Sequence, residues 1–280
     1  MKVYTFKIPK KPGENITVQS DKGSVFYDKL HQHEEIQVSQ ILEGSGKLIV
    51  GDSIHSFKRG DFFVIGSGMP HLFKSTISSK TSHMISIFFR KDSFGSAFFD
   101  IEEMKELQSF FLHAKTGFKA ITSNLPFIED MKGLISSGHF SRFMVLMRLL
   151  KKLSESQKTR LSGFVQEKQL SNDHGERLRA VFDYTMKSFD QKIELDTIAK
   201  LAHMTPNAFC RFFKERTNKT FFRFLIEVRI EHVCQLLLNQ RDMTIVEAAN
   251  TSGFNSISNF NRKFKEIKGI NPTEYLRQLN

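Results

Sequence analysis

The chain has 280 residues, enough for two domains of ordinary size, and its 40% hydrophobic and 25% charged residues fit a folded soluble protein. A formal net charge of +11 favours an anionic partner, either nucleic acid or membrane. Two cysteines, Cys210 and Cys234, exclude a disulfide framework and a Cys-x-x-Cys metal site, and no run of about 18 apolar residues is present to span a bilayer.

The first ten or so residues carry no hydrophobic stretch of signal-peptide length, so the expected place of work is the cytoplasm. The first ninety residues read as β. Short apolar runs at 47–50, 54–57 and 62–65 are separated by turn signals at 44–46, Gly51-Asp52, Arg59-Gly60-Asp61 and 66–70. Strands this short and this regularly punctuated predict a small antiparallel barrel or sandwich over about 1–92.

Near Phe98 the pattern changes. Ile101, Met104, Leu107 and Phe111 recur at helical spacing and predict a helix over 100–112. A second helical stretch is expected over 125–153, with a break at 136–138. Residues 154–176 are polar and read as a connection, which places domain limits at 1–160 and 178–280 with a linker at 161–177.

From Leu178 onward the chain reads as helical, and it repeats itself. An offset of 51 positions lays Thr205 on Ser256, Phe209 on Phe260, Arg211 on Arg262, Phe213 on Phe264 and Lys214 on Lys265. The helices just before match at an offset of 50, Ala199 on Ala249, so the turns differ by one residue. Each repeat has the parts of a helix-turn-helix unit. Small residues (Ala199 and Ala202; Ala248 and Ala249) allow close helix crossing, and a tight turn follows. Thr205 or Ser256 then caps the second helix, with Pro206 at the first helical position of one copy. Thr244 and Glu247 have capping-box spacing.

The second helix of each unit separates into two faces. Phe209, Phe212 and Phe213 belong to the core, as do Phe260, Phe264 and Ile267. Asn207, Arg211 and Lys214 face the other way in the first copy, and Ser258, Asn261, Arg262 and Lys265 in the second. Amide and guanidinium groups read base edges bidentately in the major groove, and lysine suits phosphate. Between the units, 221–239 reads as one helix of roughly 28 Å. It would hold two recognition helices about one DNA turn apart, near 34 Å.

The segments RFFKERTNKTF (211–221), RIEHVCQLLL (229–238) and GFNSISNFNRKFKEIKGINPTEYLR (253–277), with Ile198-Ala199 before them, resemble the AraC/XylS-type transcription regulators. The resemblance covers 178–277. It implies two helix-turn-helix subdomains joined by a linker helix, and double-stranded promoter DNA as the partner. It places base contacts at Asn207, Cys210 and Arg211 and at Ser258, Asn261 and Arg262. Asn218 stands where the family usually has glycine, Val233 where it has alanine and Ala248 where it has isoleucine; Cys210 is a poor base reader.

The front half is similar to the cupin barrel carried by many such regulators. His31, His33, Gln37 and Gly44 follow one cupin motif and Gly60, Gly68 and His71 the other. A metal-dependent cupin has a glutamate where this chain has Gln37. The expected fold class is therefore α+β, an N-terminal cupin-like barrel with flanking helices and an all-α C-terminal pair of helix-turn-helix units. Strand parity lets His31, His33, Glu35 and Gln37 share a face with His71 as a ligand pocket; it equally allows a solvent-facing side with Ile36 and Val38 inward. A small-molecule effector, a divalent metal on His31, His33 and His71, and a barrel that senses nothing all remain open.

No catalytic arrangement is evident, so the chain is expected to be a ligand-controlled regulator and not an enzyme. The competing class is a metal-dependent cupin enzyme with an appended DNA module. The apolar stripe of 100–112 is expected to pack either on its own barrel or, as the resemblance implies, against a second subunit, and ligand binding is expected to alter promoter occupancy or contact with RNA polymerase.

Overall fold

The turn residues of the front half fall where short strands need them. A computed structural model describes residues 4–5, 8–10, 13–26, 30–75, 81–121, 131–163, 172–240 and 242–278. Its strands are β1 (Tyr4–Thr5), β2 (Thr17–Gly23), β3 (His31–Gln32), β4 (Ile36–Glu43), β5 (Gly46–Val50), β6 (Ser53–Phe57), β7 (Phe62–Ile65), β8 (His71–Ser75), β9 (Ser82–Phe89), β10 (Phe118–Ala120) and β11 (Lys158–Arg160). They form a five-stranded sheet, β1-β3-β8-β5-β6, and a six-stranded sheet, β11-β10-β7-β4-β9-β2. Gly46 is where strands crowd: a Cβ there would lie 2.1 Å from the Lys74 carbonyl oxygen and 2.6 Å from the Phe57 ring.

Alternation along β7 shows how the core is shared. Phe63 and Ile65 join Leu48, Val50, Phe57 and Phe73 in the barrel interior. Phe62 and Val64 point the other way, into a cluster with Phe110, Leu146, Leu149 and Leu150 from the helices. In β4, Ile36 and Val38 lie in that helix-facing cluster. Both faces of β4 are thus buried, so neither is the solvent-facing side.

The helix expected over 100–112 is mostly 3₁₀. Short turns at Phe98–Asp100 and Glu102–Leu107 are separated by an extended Ile101, and α1 runs only from Gln108 to Ala114. Neither 3₁₀ turn has a side-chain cap. Leu107 and Phe111 reach the core, but Ile101 is exposed. Of the stretch expected over 125–153, residues 125–130 lie outside the described residues. The break near 136–138 is present, and α2 spans His139–Glu155.

Two strands in this region escape the sequence reading. β10 pairs with β7 and with β11, which lies in the stretch read as a polar connection. The expected linker at 161–177 is shorter, because α3 (Asn172–Ser188) has begun by Asn172; residues 164–171 lie outside the described residues. Two compact units divide the chain, one from Lys2–Gly51 and His55–Asn172 and the other chiefly Asp173–Asn280.

The second unit continues with α4 (Leu195–Leu201), α5 (Pro206–Thr217), α6 (Phe221–Asn239), α7 (Ile245–Thr251), α8 (Ile257–Lys268) and α9 (Pro272–Arg277). Phe182, Phe209, Phe213, Phe221 and Phe224 pack ring against ring, with centroids 4.9 to 6.2 Å apart. Phe254, Phe260 and Phe264 form a second centre with Ile230, Val233 and Ala249. Among the described residues no helix is long and apolar enough to cross a membrane.

Candidate nucleic-acid interface and barrel cluster

The two candidate recognition helices, α5 and α8, each have 12 residues. The Thr205 hydroxyl accepts from the Ala208 amide at 3.4 Å, and the Ser256 hydroxyl from the Asn259 amide at 3.3 Å. Each helix stops on a left-handed residue, Asn218 at φ 55° and Gly269 at φ 79°. Thr244 and Glu247 form the capping box that opens α7. These devices fix start, stop and register of both helices from local sequence alone.

Phe209, Phe212, Phe213, Phe260 and Phe264 are buried, and Ile267 is partly buried against the second centre. All eight polar candidates are exposed: Asn207, Cys210, Arg211 and Lys214 on α5, and Ser258, Asn261, Arg262 and Lys265 on α8. Arg262 is steadied by its own helix, its guanidinium donating to Asn259 Oδ1 at 2.9 Å. Asn259 was not anticipated, although its spacing of three residues from Arg262 was visible.

Further unanticipated residues hold the frame of these helices. Arg223 on α6 donates to Glu266 on α8 and also pairs with Glu227 at 3.3 Å. Lys268, largely buried, pairs with Glu231 on α6, and that carboxylate is the main attraction holding its ammonium pKa up against burial. Arg229 donates to the carbonyls of Phe189 at 2.7 Å and Gln191 at 2.8 Å, beyond the end of α3, and lies over the Phe254 ring in the second unit's turn. Such pairs across helices leave no periodic signature, so the sequence shows the charges and not the partners.

In the barrel, His31 pairs across the sheet with His71. The ring nitrogens of His31, His33 and His71 lie within 4.8 Å of one another. His33 Nδ1 donates to the Glu35 carbonyl at 3.0 Å and His71 Nδ1 to the Met69 carbonyl at 2.8 Å. Each Nε2 then faces Gln37 Oε1, at 3.0 and 2.9 Å. The Gln37 amide nitrogen donates to Ser39, which bonds Ser86 at 2.7 Å. Burial lowers the pKa of both rings, and the neighbouring His31 and His33 lower that of His71 further.

Neutral rings with Nδ1 protonated present lone pairs at Nε2. With the amide oxygen turned to them, each of these Nε2 atoms lies about 3 Å from that oxygen, the spacing of adjacent ligands around an ion with bonds of about 2.1 Å. The residues therefore fit a divalent ion by geometry, although the ring of donors holds no acid. The Glu35 carboxylate approaches the other side of the His33 ring, 3.8 Å from Nδ1, and is bonded to Lys10 at 2.6 Å, so it does not join Gln37 in facing the Nε2 atoms. The cavity beside His31 and Gln37 is about 50 Å³, room for an ion or a water or two.

A family model described as a helix-turn-helix domain matches residues 198–278, and a cupin domain model matches residues 17–88. Over 275 residues the chain is 26% identical to the HTH-type transcriptional regulator YdeC of Bacillus subtilis (strain 168), covering 89% of this chain and 86% of that protein. The chain carries an AraC-type helix-turn-helix domain and a cupin domain, and the relatives it matches are transcription regulators. Other relatives of this regulator include the Msm operon regulatory protein of Streptococcus mutans, 20% identical over 92% of this chain and 89% of that one. Among solved structures, ToxT from Vibrio cholerae O395 is 16% identical, covering 95% of this chain and 98% of that chain, with a TM-score of 0.38. The DNA-binding domain of AdpA in complex with a target DNA is 24% identical, covering 37% of this chain and 92% of that chain, with a TM-score of 0.35. The regulator thus combines a cupin domain with a helix-turn-helix region that binds double-stranded DNA.

Proposed function

We propose that the regulator reads two successive major-groove segments of promoter DNA, α5 entering one and α8 the next. Asn207, Cys210, Arg211, Ser258, Asn261 and Arg262 face base edges, and Lys214 and Lys265 hold phosphates. The observation that carries this reading is the matched pair of 12-residue helices, each with phenylalanines hidden and its polar side exposed. The 19-residue α6 between them, roughly 28 Å long, suits a spacing of one DNA turn. Selection of bound duplexes from a random pool tests it. Two short boxes about ten base pairs apart are expected; a single box, or no enrichment, contradicts the reading.

The N-terminal unit senses a ligand, and occupancy changes promoter binding or contact with RNA polymerase through different affinity for two states. The His31, His33, His71 and Gln37 group is the receptor for an ion-sized ligand, and a divalent metal would be held there by the three imidazoles and the amide oxygen. Metal analysis of the purified protein, with dialysis against chelator, checks this. Stoichiometric metal that also speeds turnover of a small organic substrate would favour the enzyme reading instead. Pairing of two copies through the N-terminal unit, and work in the cytoplasm, complete the proposal; sedimentation of residues 1–160 tests the pairing, and a clean monomer at tens of micromolar ends it.

A further inference from the structure

The barrel cavity, at about 50 Å³, is far below the roughly 300–1,000 Å³ of sites that enclose organic ligands. A groove of about 520 Å³ within the same unit does reach that range. Its apolar lining comes from Ile36, Phe111 and Ala114, all buried core residues, and from Leu112, which is 65% exposed. Lys91 and Lys115 also line it, and none of its lining residues is acidic.

The polar neighbours in the groove are largely committed elsewhere. Gln108 donates to the Phe99 carbonyl and Ser67 to the Glu34 carbonyl. The Lys91 ammonium bonds Asp100 at 2.9 Å and stands over the Phe111 ring. Lys115 is exposed, and among the described residues it has no ion-pair partner. An apolar floor with a cation at its edge that no described residue compensates is complementary to an apolar body ending in a carboxylate.

We propose that this groove beside α1 binds an amphipathic carboxylic acid, its hydrocarbon against Phe111, Leu112 and Ala114 and its carboxylate on Lys115 with help from Lys91. The site is separate from the histidine group and goes beyond the sensing reading, on which it relies only for the consequence of binding. The groove lies against Phe111 and Ala114, whose neighbours Phe110 and Leu107 pack on the barrel sheet. An occupant that repositions α1 is therefore felt by the barrel.

Calorimetric titration of the full chain with sodium decanoate tests the assignment, with decan-1-ol as the body lacking the acid. Saturable binding of decanoate tighter than about 100 µM is expected. The double variant Lys91→Gln/Lys115→Gln should weaken it roughly tenfold, two partly exposed ion pairs being lost, and leave the weaker binding of decanol unchanged. No saturable heat up to about 1 mM overturns the proposal, as does equal affinity for acid and alcohol, or an unaffected double variant. A dimer in sedimentation that excludes decanoate also overturns it, by showing that a second copy covers the groove. Heats are read without DNA, so failure here leaves the two-box reading standing.

Discussion

His203 and Gly253 occupy the same left-handed position in the turns of the two repeats, at φ 54° and φ 85°. The residue after each, Met204 and Phe254, donates its amide to the matching alanine, Ala199 and Ala249. One turn tolerates a side chain because His203 is exposed. The other does not, because a Cβ at Gly253 would lie 2.6 Å from the Asp190 carbonyl oxygen. Gly253→Ala should therefore destabilise the second unit by at least about 2 kcal/mol, combining left-handed strain with a backbone collision. His203→Gly should stabilise by up to about 1 kcal/mol. Urea unfolding checks both, and a destabilising His203→Gly would show that the imidazole has work in the turn.

Exposure of Arg211 and Arg262 on matched helices sets a second expectation. Arg211→Ala and Arg262→Ala should each cost about 1–3 kcal/mol of specific binding and relax preference at one base step. Lys214→Ala should weaken binding evenly across sequences and flatten the salt dependence. Competition binding with cognate and random duplexes decides it; equal losses on both for the arginine variants would remove the base-reading assignment.

The two thiols differ in a way that probes the same face. Cys210 is exposed on α5. Cys234 is buried in α6, where burial pushes its pKa up to about 11. Near neutral pH a thiol reagent should titrate one cysteine in the folded chain and two in urea. Cognate DNA should slow the reaction at Cys210, and prior alkylation there should weaken DNA binding. Two fast thiols in the folded chain would contradict the burial, and no protection by DNA would move Cys210 out of the contact face.

Much of the second unit was legible because its determinants are local. Thr205, Pro206, Thr244, Glu247, Ser256 and Gly269 act within a few residues of where they stand, and the phenylalanine spacing is itself a helix signature. The parts that were not legible depend on contacts distant in sequence. β10 exists because Phe118 sits opposite Val64, and β11 because Arg160 sits opposite Phe118. In the barrel, strand parity grouped Glu35 with the histidines, but residues 33–35 lie between β3 and β4, where alternation no longer governs direction. Glu35 accordingly meets His33 only at Nδ1 and takes Lys10 as its partner, away from the Nε2 atoms. The sequence shows Gln37 only as standing where a metal-dependent cupin has glutamate; its two-sided contact with His33 and His71 is visible only in the fold.

Burial of the two rings that flank Gln37 makes the stability of the barrel depend on pH. Burial holds His33 and His71 below the ordinary value of 6.5, and for His71 the facing imidazoles of His31 and His33 add to the effect. Well above pH 6.5 these histidines are neutral in both folded and unfolded chains, so they contribute no slope there. Below it the unfolded chain takes up protons that the folded barrel refuses. Stability then falls by up to about 1.4 kcal/mol per pH unit for each ring, until the lowered folded pKa is reached. Asp21 bends the profile the other way, its pKa raised by burial. Urea midpoints for the N-terminal transition should therefore drop between about pH 7 and pH 5.5, and His71→Gln should remove part of that drop. A flat profile across this interval would mean that the rings are already charged in the folded chain, and the convergence of lone pairs on Gln37 would have to be given up.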